Sequence, residues 1–423
     1  MSKRLVVISV DALSVDNWEQ VNSLPTFRAL LEQGAFSREL RSVFPTLTYA
    51  VHTTMVTGVH PATHGILHNN PLQPLVPEKE KAWYWYSRVI RAQTIYEVAS
   101  VHGLRTAALL WPVTGGANIN YNLPEIAALP GENQALKVMR HGSPLFCLEL
   151  ELRFGRLRSG ASQPALDNFV TASAVHTLRT KRPDLMLIHL IDLDDKKHYF
   201  GTDSLEARQA LERMDSRLAA IIGATKAAGT FAETAFLVIG DHGQLNVDYR
   251  VRPNNLLREQ GLINLDGGKS EWRAYVQCSG GSAYLYVREG DLAAHEKAMA
   301  ILLEAAGEDK YGIEAVHGPA AFPDLCGAHG IAAVIEARQG YYFDEAIAEP
   351  TVHYITAPGK QYATHGYSPH KPDYTCLFIA AGNGVLRRGD LGALEMVDIA
   401  PTMANLLGLP FSRRDGRPIA GLG

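Results

Sequence analysis

An α/β fold, with a largely parallel sheet between helices on both faces, follows from two features of this 423-residue sequence. Five short runs rich in branched apolar residues, Leu5–Val10, Ala107–Leu110, Leu185–Ile191, Ala235–Ile239 and Leu377–Ala381, lack the alternation of a half-exposed strand. Strands covered on both faces read this way. Between the runs lie helical patterns with clear stops, such as Pro25–Gln33 before Gly34 and Val397–Leu407 before Gly408.

The length supports a large core and an enzyme. An apolar fraction of 46% and a charged fraction of 20% are ordinary for a globular chain, and 40 basic against 44 acidic residues leave a mild negative charge. That balance offers nothing for a nucleic-acid scaffold or an electrostatic membrane binder. The N-terminal apolar run is too short for a signal h-region and ends in Asp11, so a cytoplasmic chain is expected, and no stretch is long enough to span a bilayer. Cys147, Cys278, Cys326 and Cys376 are scattered without CxxC spacing, which argues against a disulfide framework or a thiolate metal site. From about residue 246 to 362 the texture changes: an alternating segment at Ala274–Val287, a helix at Ala293–Ala306 and a short strand near Ala332–Glu336 suggest a smaller α+β insertion. The expected organisation is a catalytic core from 1–245 and 363–423, with 246–362 as a cap.

Ligands of open α/β sheets gather beyond the carboxyl ends of the strands. Acidic residues and histidines follow three of the runs: Asp11 after the first, Asp192, Asp194, Asp195 and His198 after the third, and Gly240-Asp241-His242-Gly243 after the fourth. Hard oxygens and imidazoles are what zinc sites for phosphoryl transfer need, and a pair of ions needs about six or seven of them. Asp194 and His198, four apart, share a face if a helix begins there, although such a run of charge is by itself more often solvated surface. Two polar residues directly after a buried strand, as in Asp241-His242, call for partners or a ligand. The flanking Gly240 and Gly243 are expected to let the backbone bend so that both point into a site.

The segment from Phe44 to Asn69 carries a resemblance. Its Phe44-Pro45-Thr46-Leu47-Thr48-Tyr49, the alcohol-rich stretch to Thr57-Gly58, Pro61-Ala62-Thr63-His64-Gly65-Ile66 and Asn69 are similar to the nucleophile segment of nucleotide pyrophosphatases/phosphodiesterases, in the alkaline phosphatase superfamily. The second threonine of that pattern, the nucleophile, falls on Thr48, and the closing asparagine on Asn69. Asp11 resembles the family's first aspartate, although Ala12 stands where glycine is usual. Asp194, His198 and Gly201 resemble its Asp-x-x-x-His and glycine, with Lys197 replacing a customary glycine. Asp241-His242-Gly243 and His365-Gly366-Tyr367, followed by Pro372-Asp373, complete the set, and residues 397–410 look like a helix common to the superfamily.

The resemblance implies an alkaline-phosphatase-like fold: a large mixed, mostly parallel sheet sandwiched between helices, with a smaller α+β insertion. It implies two zinc ions per chain, one held by Asp194, His198 and His365, the other by Asp11, Asp241 and His242, with Thr48 beside both. The expected activity is hydrolysis of a small phosphodiester or phosphoanhydride, a nucleotide included, through a phosphothreonine. Asn69 and the Thr48 amide would hydrogen-bond a phosphoryl oxygen. Tyr49 would stack on a nucleobase, or else pack beside the threonine. His64 is a candidate for support behind the site, His60 and His68 for surface or packing, and Trp83, Tyr84, Trp85 and Tyr86 for a pocket wall. Phosphonoacetate hydrolysis, phosphomonoester or sulfuric-ester hydrolysis, and a non-catalytic binding protein are the alternatives; no cysteine at the nucleophile position supports a formylglycine sulfatase.

Overall fold

The computed structural model describes residues 3–265, 271–412 and 414–423. Its main sheet contains β1 (Arg4–Val10), β2 (Ala35–Arg41), β3 (Thr106–Leu109), β4 (Tyr121–Leu123), β5 (Leu185–Leu190) and β6 (Thr234–Ile239). Across the sheet the order is Gly389–Asp390, β2, Cys376–Gly382, β6, β1, β5, β3 and β4, and the short strand Leu394–Glu395 also pairs with β2. Among the described residues the antiparallel pairings of this sheet are the two that Cys376–Gly382 makes, with β6 and β2; the rest are parallel.

Both faces of the sheet are covered, which is why its strands do not alternate. Leu5 and Val7 of β1 and Leu185 and Leu187 of β5 join a core with Val51, Met55, Ile95, Ile399 and Met403 from helices Thr48–Thr57, Ile95–Val101 and Ile399–Leu407. Val6, Ile8, Met186 and Ile188 point the other way, into Phe27, Phe169, Leu211 and Met214 of helices Pro25–Gln33, Ala165–Thr180 and Leu205–Ala227. At roughly 1.5–3 kcal/mol for each fully buried large aliphatic side chain, these two cores are the main favourable term of the fold.

Residues from Leu245 to Thr364 build smaller sheets around a third core. Leu245–Val251 pairs with Gly340–Phe343, Val352–Tyr354 and Tyr362–Thr364. An antiparallel sheet runs Ala274–Cys278, Ser282–Val287, Ile331–Ala337, Ile313–His317, and helix Leu292–Ala306 packs on it. The alternating segment Ala274–Val287 is thus a hairpin of two strands broken at 279–281. Among the described residues no helix is long and apolar enough to cross a membrane.

Candidate active site

The site lies where the chain leaves the carboxyl ends of β1, β5 and β6. Asp11 follows β1 directly, β5 runs into helix Asp192–Phe200, and β6 ends at Gly240-Asp241-His242-Gly243. Because β1 lies between β5 and β6 in parallel register, these three exits are neighbours. His365 arrives from strand Tyr362–Thr364, and Thr48 opens helix Thr48–Thr57.

Close approach of backbones, rather than bending freedom, explains the glycine before Asp241. A Cβ on Gly240 would sit 1.8 Å from the carbonyl oxygen of Leu13, so the turn after β1 and the end of β6 pack with no side chain between them. Neither Gly240 nor Gly243 has a positive φ, so crowding, not the bending expected from the sequence, is the reason for both glycines.

His242 is the hub. Its Nε2 lies 3.3 Å from Asp11 Oδ1, 3.3 Å from Asp241 Oδ2 and 3.4 Å from Thr48 Oγ1. Asp11 Oδ1 and Asp241 Oδ2 are buried and, among the described residues, have no hydrogen-bond partner. Two bare carboxylate oxygens beside an imidazole nitrogen are costly to bury and suit a divalent cation. The electrostatics agree. Burial, then repulsion from Asp241 and Asp194, holds Asp11 well above the carboxylate range, and burial carries Asp241 to about 6. Burial also presses His242 down to about 4, keeping its imidazole neutral as a metal ligand must be.

A second cluster joins Asp194, His198 and His365, whose ligand atoms lie within 4.8 Å of one another; Asp194 also falls within that distance of Asp11 and His242. The His365 ring stacks on His242 at 4.0 Å, while burial and the neighbouring His242 and His198 push it well below its usual range. His198 Nδ1–H donates to Ala363 O at 2.8 Å, which turns Nε2 toward Asp194 Oδ1 at 3.4 Å. Gln244 Nε2 donates to the same Asp194 oxygen. Burial works against ionised Asp194, but His198, His365 and His242 carry it below the usual carboxylate range. Two groups that could hold a metal ion, Asp194–His198–His365 and Asp11–Asp194–His242, thus adjoin one another, with Asp241 against His242 beside the second.

Thr48 is the first residue of its helix, preceded by extended Leu47, so the amides of the first turn are not used within the helix. Asn69 Oδ1 accepts the N–H of Tyr49 at 3.0 Å, which leaves the Asn69 amide hydrogens to point elsewhere. Tyr49 itself is 1% exposed, donates its hydroxyl to Glu125 Oε1 at 3.2 Å and meets Trp83 edge-on at 5.3 Å. It packs beside the threonine in this structure, and the half-buried Trp83 and Tyr84 form the more open part of the wall.

Supporting residues that the sequence reading missed complete the site. His189 sits in β5 and donates from Nε2 to Asp11 Oδ2 at 3.0 Å. Its Nδ1 faces Leu110 O at 3.2 Å and Glu125 Oε2 at 3.4 Å. Burial opposes its charge, yet hydrogen bonds to Asp11 and Glu125 raise it well above the usual histidine range. His52, one helical turn after Thr48, donates from Nδ1 to Thr48 O at 2.8 Å. A histidine inside the fully apolar run of β5 was a legible signal; Glu125, in a loop after β4, had none. Of the other histidines, His60 is exposed, His64 bonds Thr54 of helix Thr48–Thr57 at 3.0 Å, and His68 bonds Cys278 O at 3.0 Å.

The large mixed sheet, its helical layers and this edge of aspartates and histidines define an alkaline-phosphatase-like α/β protein. More narrowly, the chain belongs to the type I phosphodiesterase / nucleotide pyrophosphatase family, whose model matches residues 5–368. A venom phosphodiesterase of Naja atra is 24% identical over 249 residues, 56% of this chain and 26% of the relative. Human ectonucleotide pyrophosphatase/phosphodiesterase family member 1 is 24% identical over 236 residues, 52% of this chain and 21% of the relative. The chain thus spans about a quarter of the length of these curated relatives. Murine ectonucleotide pyrophosphatase/phosphodiesterase 5 shares the fold, with a TM-score of 0.69 at 18% identity over 98% of this chain and 97% of that one. An inactive variant of that protein, solved in complex with AMP, matches with the same scores.

Proposed function

We propose that this chain hydrolyses small phosphodiesters or phosphoanhydrides, nucleotides among them, through a phosphothreonine at Thr48 and with two zinc ions. The observation that carries the reading is Thr48 Oγ1 at the head of a helix, 3.4 Å from His242 Nε2 and beside unpartnered carboxylate oxygens of Asp11 and Asp241. Asp194, His198 and His365 would hold one ion, and Asp11, Asp241 and His242 the other. Zinc, when bound, lowers the pKa of a coordinated hydroxyl and takes up charge from phosphoryl and leaving-group oxygens.

The chain's own groups do the rest. Thr48 Oγ attacks phosphorus in line, the Oγ–P bond forms as the bond to the leaving oxygen breaks, and water later cleaves the phosphothreonine. The first-turn amide of Thr48 and the side-chain amide of Asn69 donate to a phosphoryl oxygen as its charge grows. His52 fixes the Thr48 carbonyl, which limits drift of the nucleophile. Trp83 offers the wall that a substrate would meet, and Tyr49, buried beside Thr48, backs it edge-on rather than stacking on a base. Residues 246–362 act as a cap, supported by the Gly281 N–H that donates to His365 O at 2.8 Å. A cytoplasmic setting belongs to the same proposal and is supported by four free thiols.

The test is a substrate panel on the zinc-loaded protein: a nitrophenyl diester, a nitrophenyl monoester and phosphonoacetate. The diester should be the preferred substrate; a preference for phosphonoacetate over every diester would overturn the assignment. Thr48→Ala should bind zinc and lose at least about 10³-fold in kcat/KM, while Thr48→Ser keeps measurable turnover. An alanine variant with wild-type turnover would replace threonine attack with direct attack by water.

A further inference from the structure

Two residues that stand where the resembling family has glycine, Ala12 and Lys197, touch each other. Lys197 lies on helix Asp192–Phe200 between Asp194 and His198 and is 0% exposed. Lysine is almost never fully buried unless it is paired. Here Nζ donates to Ala12 O at 2.9 Å and to Asn17 Oδ1 at 2.9 Å, lies 3.4 Å from Ser14 Oγ, and pairs with Asp16 Oδ2 at 2.8 Å.

Ala12 has a φ of 60°, in the left-handed region that a residue with a Cβ avoids. Such a conformation persists where its surroundings over-determine it. Both polar groups of the residue are gripped: its N–H donates to Asp241 Oδ1 at 3.0 Å, and its C=O accepts from Lys197. The first bond leaves the other Asp241 oxygen, Oδ2, for His242. One turn thus ties together the three segments that carry Asp11, Asp241 and the Asp194–His198 pair. Without Nζ, Ala12 O and the buried Asn17 Oδ1 lose a donor and the strained turn loses its restraint.

We propose that Lys197 is a positioning residue that clamps the Asp11–Ala12 turn to the helix bearing Asp194 and His198, so that the two metal clusters are held in register. This rests on the zinc-site reading above. The measurement is zinc retention by the zinc-loaded, full-length protein against increasing chelator, with thermal unfolding alongside. Lys197→Met should weaken retention about ten- to a hundred-fold, the range found when partners behind metal ligands are removed. Asn17→Ala, which removes one anchor of Nζ, should weaken it about threefold. Adding Ala12→Gly to Lys197→Met should recover part of the loss, because glycine adopts this φ without restraint.

A folded Lys197→Met that is less heat-stable but retains zinc as wild type does would overturn the proposal. So would a loss that Ala12→Gly leaves unrecovered, since the lysine would then not act through the turn. Should Lys197→Met fail to fold, Asn17→Ala decides: weakened retention supports the clamp and unchanged retention overturns it. A wild-type protein that holds no zinc would sink the site reading itself, and this inference with it.

Discussion

At the scale of single residues, the support behind Asp11 is as informative as the ligands. His189 holds the Asp11 oxygen that faces away from His242, so His189→Ala would free that carboxylate to rotate. The variant is expected to lose about ten- to a hundred-fold in zinc affinity, read by chelator competition, with kcat less affected at saturating zinc. Unaltered affinity would show that packing alone orients Asp11. Asp11, Asp194, His198, Asp241, His242 and His365 were legible as candidates because polar residues stood just past apolar runs or matched a family motif. Their grouping was not: no spacing tells that Asp194 lies within reach of both clusters, because that depends on the strand order. Tyr49 was legible as the neighbour of Thr48, but its burial against Trp83 and its bond to Glu125, 76 residues away in sequence, depend on two separate distant loops.

At the scale of elements, strands were easier to read than helix Thr48–Thr57. The strands are apolar on both faces and announce themselves, and helix Leu292–Ala306 falls within one residue of its expected start. Thr48–Thr57 is buried from Tyr49 through Thr57, so it shows no polar face to mark a helical period, and only the motif pointed to it. The junction of β1 and β6 is the element most exposed to a small change. Gly240→Ala would drive a Cβ into the Leu13 carbonyl and part the strand ends that carry Asp11 and Asp241. It is expected to cost at least about 1–3 kcal/mol in chemical denaturation, as overpacking does, and to lower diester turnover far more than the stability loss explains. Equal activity in a folded Gly240→Ala would mean that the ligands do not depend on that contact.

For the molecule as a whole, buried neutral histidine ties stability to pH. Burial holds His64 down to about 3, and its Nδ1 already accepts the N–H of Ile66 at 3.2 Å, leaving no place for a second proton. In the unfolded chain the same ring takes a proton near its usual value of about 6.5. Its contribution to stability is therefore complete above that pH and is lost progressively as the pH falls from there toward 3. Urea melts across this range should show His64→Asn less stable than wild type at pH 8 but with a shallower decline on acidification; parallel declines would remove His64 as a cause. Metal acts in the opposite sense. Zinc at a hundred times its Kd should add about 2.7 kcal/mol per site, visible as a raised Tm that a chelator reverses.

The strand order also bears on how the chain is made. β2 is joined to the sheet through Cys376–Gly382, Gly389–Asp390 and Leu394–Glu395, all more than 300 residues after it, and Cys376–Gly382 is the strand that separates β2 from β6. A nascent chain leaving the ribosome therefore carries β2 without its sheet partners until residues 376–395 have been made, and β6 waits with one edge open. Closing contacts of such long sequence separation makes folding slow. A product arrested before residue 376 would contain every candidate ligand from Asp11 to His365 and still lack the strand that joins β2 to β6.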